Sequence, residues 1–132
     1  MAQSTISRTF AGGGTVEDLT CDIIKITTSE LTRYHVDALY EQIVIIFSGW
    51  RCEEPIRLLF DVRYCATTPY FRQRSMELYA LSRSLPLQTR QAFVINENYV
   101  SDLRRFINLT GLSKEHQLCI FTDDAEAIQW LT

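Results

Sequence analysis

The sequence predicts an α/β domain with a mixed, mostly parallel sheet of about four to five strands and about four helices. Two observations carry this. From residue 22 onward, short β-rich apolar runs alternate with segments of helical apolar periodicity. Such alternation favours a parallel sheet with right-handed crossovers. In addition, Ile56 to Val62 forms an almost continuous apolar run, the pattern of a strand inside a covered sheet. The length, 132 residues of which 46% are apolar, fits one domain over 1–132 with a core that needs no disulfide or metal.

Residues 1–20 read as an N-terminal edge strand, Thr5 to Ala11, followed by a glycine loop at Gly12-Gly13-Gly14. This loop is not a phosphate loop, which would follow a buried strand and run into a helix through Gly-Lys-Ser/Thr. Cys21 to Thr28 reads as a strand with Ile24 and Ile26 on one face and Ile23 and Lys25 on the other. Ser29 and Glu30 resemble a helix entry. Leu31, Tyr34, Ala38, Leu39, Ile43, Phe47 and Trp50 then recur at helical spacing, predicting a helix over about 30–49. The stretch Ile43 to Phe47 is β-branched enough to compete as a strand.

Pro55 stops that element, and Ile56 to Val62 is the next strand. Thr67-Thr68-Pro69 has the form of a helix start, a hydroxyl cap followed by proline at the first helical position. That helix should run to about Ser84. Arg90 to Asn96 holds another strand. Val100, Leu103, Phe106 and Ile107 mark a third helix, ended by Gly111 with Leu112 packing back. Gln117 to Phe121 is the last strand. Asp123 with Glu126 three residues on opens a final helix that includes Ala127, Ile128, Trp130 and Leu131. The first strand is expected to pair antiparallel at one edge of the sheet.

The formal net charge of −3 argues against nucleic acid as the main partner. Cys21, Cys52, Cys65 and Cys119 form no Cys-x-x-Cys pair and match no zinc spacing, so they read as reduced thiols. No charged N-terminus precedes an apolar stretch, and no apolar run could span a bilayer; the expectation is a cytoplasmic protein. His35 on a helix and His116 in a polar loop read as surface or capping residues, with no metal-ligand neighbours. No nucleophile elbow occurs, and the adjacent carboxylates Glu53-Glu54 and Asp123-Asp124 fit a loop and a helix entry. No cofactor, metal or catalytic constellation is expected.

Four features point to a site. Asp61 ends a buried strand, where open α/β sheets place their crevices. The chemistry of a phospho-acceptor aspartate needs further acidic groups after the first long strand, and Ile26-Thr27-Thr28 supplies none, so a structural carboxylate fits better. Thr67 and Thr68 put two hydroxyls at a helix N-terminus, where free N–H groups attract anions. Arg63, Arg72 and Arg74 lie close in sequence, and cations in the first turns oppose the helix dipole unless an anion offsets them. Ordinary capping with solvated arginines explains the same residues. Tyr64, Tyr70 and Phe71 cluster at this loop and would either line a binding surface or pocket or be buried.

Two stretches together resemble a family. One is Ile56-Arg-Leu-Leu-Phe-Asp-Val62 leading to Thr67-Thr68-Pro69. The other is Leu103-Arg-Arg-Phe-Ile-Asn-Leu-Thr-Gly-Leu112 followed by Cys119-Ile-Phe-Thr-Asp-Asp-Ala-Glu-Ala-Ile-Gln-Trp-Leu131. They look like the STAS superfamily of anti-sigma-factor antagonists, and in particular its SpoIIAA-like branch. The resemblance covers roughly residues 22 to 131. It implies a non-enzymatic regulatory domain that binds a kinase-like or other signalling protein through the start of the second helix. Family members carry an Asp-Ser-Ser-Gly-Leu-like segment there, with a phosphorylated Ser. Here the nearest segment is Ala66 to Tyr70, which requires a short deletion. Thr67 or Thr68 stands for the Ser, Pro69 for the glycine, and the acidic residue is missing. The candidate switch residues are therefore Asp61, Thr67, Thr68, Arg72 and Arg74. The alternative is a sensor or carrier of a small apolar or anionic ligand, held between the sheet and the second helix by Tyr64, Tyr70 and Phe71. A homodimer is compatible with either.

Overall fold

The computed structural model describes residues 6–19, 22–50, 54–86, 88–108 and 116–132. The strands are β1 (Ile6–Thr9), β2 (Thr15–Leu19), β3 (Ile23–Thr27), β4 (Ile56–Asp61), β5 (Thr89–Val94) and β6 (His116–Phe121). The helices are α1 (Arg33–Gly49), α2 (Pro69–Arg83), α3 (Val100–Asn108) and α4 (Asp124–Leu131), with a 3₁₀ turn at Glu97–Tyr99. The six strands form one sheet in chain order. β2 runs antiparallel to both β1 and β3, while β3, β4, β5 and β6 are parallel. The fold is therefore α/β with a mostly parallel sheet, as the alternation predicts.

The strand beyond the expected count is β2. Its sequence, Thr-Val-Glu-Asp-Leu, carries only two apolar residues, because it lies in the antiparallel part of the sheet and only Val16 is buried. The turn joining it to β1 uses Gly12 and Gly13 at φ of 87° and 81°, a left-handed backbone that side chains disfavour. It closes through Phe10 N–H to the Gly14 carbonyl at 2.9 Å. The glycine run is thus a hairpin turn.

Strand periodicity divides the apolar residues between two layers. Val16, Ile26, Ile56, Leu58, Phe60 and Phe93 face α1, α2 and α3, which contribute Val36, Leu39, Ile43, Phe47, Phe71, Leu78 and Leu103. Ile23, Leu59, Ala92 and Val94 face the other way and are covered by Ala127 and Leu131 of α4. β4 is buried on both sides, which is why its sequence lacks polar alternation. In α1 the β-branched run stays helical because Ile43 and Phe47 fall one turn apart on the core face. Burial in that layer outweighs the propensity difference.

The start of α1 lies later than the sequence suggests. Thr32, not Ser29 or Glu30, is its cap, accepting from His35 N–H. His35 also meets the Thr32 hydroxyl through Nδ1 at 2.5 Å and Glu30 through Nε2 at 3.2 Å. His116 corrects the expectation of a polar-loop residue. It opens β6, is buried, and pairs through Nδ1 with Thr89 Oγ1 at 3.1 Å, while its carbonyl accepts from Tyr79 OH at 2.9 Å. Cys65 and Cys119 are free thiols; Cys21 and Cys52 lie outside the described residues, as do Gly111 and Leu112 of the expected helix end. No helix among the described residues is long and apolar enough to cross a membrane.

Phe60 is the largest fully buried side chain and stacks on Phe93 with ring centroids 4.6 Å apart. Phe71 meets Phe93 edge-on at 6.4 Å. A Phe60→Ala variant should lose about 3–5 kcal/mol of unfolding free energy, measured by urea titration. A loss below about 1 kcal/mol would contradict the packing described.

Candidate functional site at the C-terminal edge of the sheet

The parallel strands β4, β5 and β6 end on one edge, and the segments that follow them lie side by side there. Asp61 closes β4 with a carboxylate that is only 4% exposed. Strand alternation places it on the α4 side, with Leu59. Arg63 grips it with a two-pronged contact, Nε to Oδ1 at 3.2 Å and Nη2 to Oδ2 at 2.9 Å. Such a fork is the strongest pairing an arginine makes. Lys25 Nζ approaches from β3 at 3.8 Å, and Asp124, in the first turn of α4, meets Lys25 at 3.5 Å and Arg63 at 3.4 Å. Two cations and two carboxylates thus close a neutral cluster that joins β3, β4, the following loop and α4.

The cluster also sets protonation. Partial burial works to raise the Asp124 pKa, but the nearby charges of Arg63 and Lys25 and a backbone hydrogen bond outweigh it and hold the carboxyl below its ordinary value. The hydrogen bond to Asp61 raises the Arg63 pKa. Asp61 is therefore a buried structural carboxylate with its partners in place.

The loop after Asp61 is shaped by two buried residues. Val62 donates its N–H to the Val94 carbonyl at 2.9 Å, and Cys65 turns back on the Val62 carbonyl at 3.0 Å. The Cys65 thiol donates to the Thr28 carbonyl at 3.3 Å. Burial, reinforced by Asp61 and Glu30, pushes that thiol up to about 11, so it stays protonated and serves as a donor rather than a nucleophile. With Val62 and Cys65 turned inward, Tyr64 is forced out and is 78% exposed. The Arg63 guanidinium lies 5.4 Å from its ring centre. Beside them an open cleft of about 390 Å³ is lined by Arg63, Tyr64, Ile95, Asn96, Glu97 and Thr122.

The other candidates divide. Thr68 is the cap of α2, its hydroxyl accepting from Phe71 N–H at 3.1 Å with Pro69 at the start of the helix. Thr67 is half-buried beside it and makes no side-chain hydrogen bond among the described residues. Arg72 is half-buried in the first turn, which holds no acidic residue. Arg74 does not join this group. It sits between α1 and α2, with Nε 3.4 Å from Asp37, Nη1 2.6 Å from Glu77 and its guanidinium 3.8 Å above the Tyr40 ring. Tyr70 also turns to α1, donating to Asp37 beneath Arg33. Phe71 is core. Among the described residues, Tyr64, Tyr70 and Phe71 therefore line no common pocket, and the space between α1, α2 and the sheet closes to about 20 Å³. That volume holds about one water.

Sequence reasoning did not find Lys25, Asn96, Glu97 or Thr122 as site residues. The available signal was position alone: each stands at or near the end of a strand, where crevices form in open sheets. Among the described residues, no group of three or more potential metal ligands gathers.

Two tests follow. Asp124 has a folded pKa below its ordinary 3.8, so its contribution to stability is present above that pH and is lost as pH falls through the lower, folded value. The stability gap between the native chain and Asp124→Asn should therefore be widest near neutrality and shrink below about pH 4 in denaturant titrations; a pH-independent gap would contradict the pairing. Thr68→Ala should cost about 1 kcal/mol through the lost cap, whereas Thr67→Ala should change stability by less than about 0.5 kcal/mol. Thermal denaturation of the two variants distinguishes them.

No family model, curated protein or solved structure matches this chain.

Proposed function

We propose that the chain is a non-enzymatic regulatory domain of STAS type that binds a signalling protein through the loop edge after β4, β5 and β6. The observation that carries this reading is Tyr64, 78% exposed beside an open cleft of about 390 Å³, while the interior beneath α2 is filled. Exposed aromatic residues backed by arginine are the common anchors of protein interfaces. The order of elements supports the resemblance: α3 precedes the short strand β6, and an acid-started helix ends on the buried Leu131.

The same edge suits a phosphate switch. Thr67 and Thr68 stand at the N-terminus of a 15-residue helix with no acidic residue in its first turn and with Arg72 nearby. A phosphate on Thr67 would meet free helix N–H groups and positive dipole without breaking the cap that Thr68 supplies. Thr67 is thus the better acceptor of the two. The second reading, a small-ligand sensor, gains from the cleft volume, which falls in the range of ligand sites. It would use the strand-end cleft and not the space under α2.

A photo-crosslinking side chain at position 64, with a control at exposed Ile45 on α1, tests the first reading in the native cells. One defined protein adduct from position 64 and none from 45 is expected. Tyr64→Ala should then weaken binding of that purified protein by about tenfold or more. Phosphopeptide mapping of the recovered chain should find Thr67. No adduct at 64, with a small molecule retained in native mass spectrometry, would overturn the reading in favour of the sensor.

A further inference from the structure

The opposite end of the sheet carries a second polar feature on the α4 face. Register sets Leu19, Ile23, Arg57, Arg90 and Gln117 in one row across β2 to β6. Arg57 and Arg90 are direct neighbours on adjacent strands, about 4.8 Å apart in the backbone. Like charges in directly opposed positions repel. Neither makes an ion pair among the described residues. The Nε of each is shut off from solvent and has no hydrogen-bond partner.

Arg90 lies with its guanidinium 4.3 Å from the ring centre of Trp130, near the end of α4. The ring holds one face of the fork and leaves its N–H edge free. The C-terminal carbonyls of α4 favour a cation nearby, but a helix dipole supplies no hydrogen bond to either Nε. Two adjacent arginines with sequestered, unused donors, in a chain of net charge −3, make a feature that folding alone does not explain. Arg74 is the instructive contrast. Its Nε also lacks a well-aligned hydrogen bond, yet Asp37 and Glu77 neutralise it.

We propose that Arg57 and Arg90, walled by Trp130, form a binding site for a small oxyanion of the phosphate or carboxylate class. Both guanidinium groups present their paired terminal Nη donors, which match two oxygens of such a group end-on. The bound anion cancels the repulsion between the strands and takes the terminal Nη donors, which meet no acceptor among the described residues, while each buried Nε stays behind them. Gln117, exposed at the end of the row, adds an amide donor at its rim. The site lies at the other end of the strands from the loop edge, so it is independent of the partner surface proposed above.

The test uses the full chain with Trp50→Phe, which leaves Trp130 as the tryptophan reporter. Inorganic phosphate and, separately, acetate are titrated at constant ionic strength held with NaCl, following fluorescence and Tm. A saturable fluorescence change with a rise in Tm is expected for one or both anions; the arm that saturates at lower concentration identifies phosphate or carboxylate as the preferred class. Arg57→Gln and Arg90→Gln should each abolish saturation and should raise Tm in the absence of anion, because repulsion is relieved. Arg90→Lys should keep the charge yet weaken binding at least tenfold, because the fork is lost. Arg105→Gln, exposed on α3 over the other face of the sheet, should leave the titration unchanged. A response to neither anion, or one that persists in Arg57→Gln and Arg90→Gln, overturns the proposal. So does a fall in Tm for both glutamine variants without anion dependence, which assigns the arginines a purely structural role.

Discussion

A carboxylate buried at the end of β4 has to be neutralised, and four segments converge to do it. Asp61 is held by Arg63 from its own loop and approached by Lys25 from β3, while Asp124 of α4 balances both cations. The cost of removing Asp61 from water is offset only because the pairing is bidentate and the charges sum to zero. That requirement fixes where the loop after β4 turns and where α4 begins. With its first turn tied to the cluster, α4 lies back across β4 and β5 and seals the second apolar layer.

The loop edge is a consequence of this arrangement. Arg63 must turn down to Asp61, Val62 and Cys65 must point into the core, and Tyr64 has no inward position left. An exposed aromatic residue is thereby fixed to a rigid frame instead of a floppy loop. The thiol of Cys65 contributes by donating to Thr28, which ties the loop to the end of β3. Next to it the helix cap at Thr68 fixes the direction of α2, leaving the neighbouring Thr67 hydroxyl outside the capping arrangement. A surface for recognition therefore arises from the same contacts that stabilise the domain.

The two ends of the α4 face treat charge differently. At the C-terminal edge Lys25 and Arg63 each have two carboxylates within reach. At the other end Arg57 and Arg90 stand side by side, Arg90 against Trp130, and neither makes an ion pair among the described residues. The helix between them shares both environments, its acidic first turn at one end and its aromatic last turn at the other.

Local chemistry made much of the fold legible from sequence. The strand over Ile56 to Asp61, the Thr68-Pro69 helix start and the Asp123 cap were readable because apolar period, proline geometry and capping act within a few residues. β2 was not, because its half-exposed residues acquire strand character only by pairing with β1 and β3. The true start of α1 at Thr32 was hidden among several polar residues that cap equally well in isolation. At the site, strand ends and helix starts point to Asp61, Thr67, Thr68 and Arg72, and proximity in the chain groups Arg74 with them. Helical rotation instead carries Arg74 toward α1 and Asp37. Lys25 and Asp124 are distant in sequence and meet Asp61 only through sheet register and the return of α4. Composition and period determined every element but β2; register and helix packing decided which side chains meet, because those contacts depend on long-range geometry that no local pattern encodes.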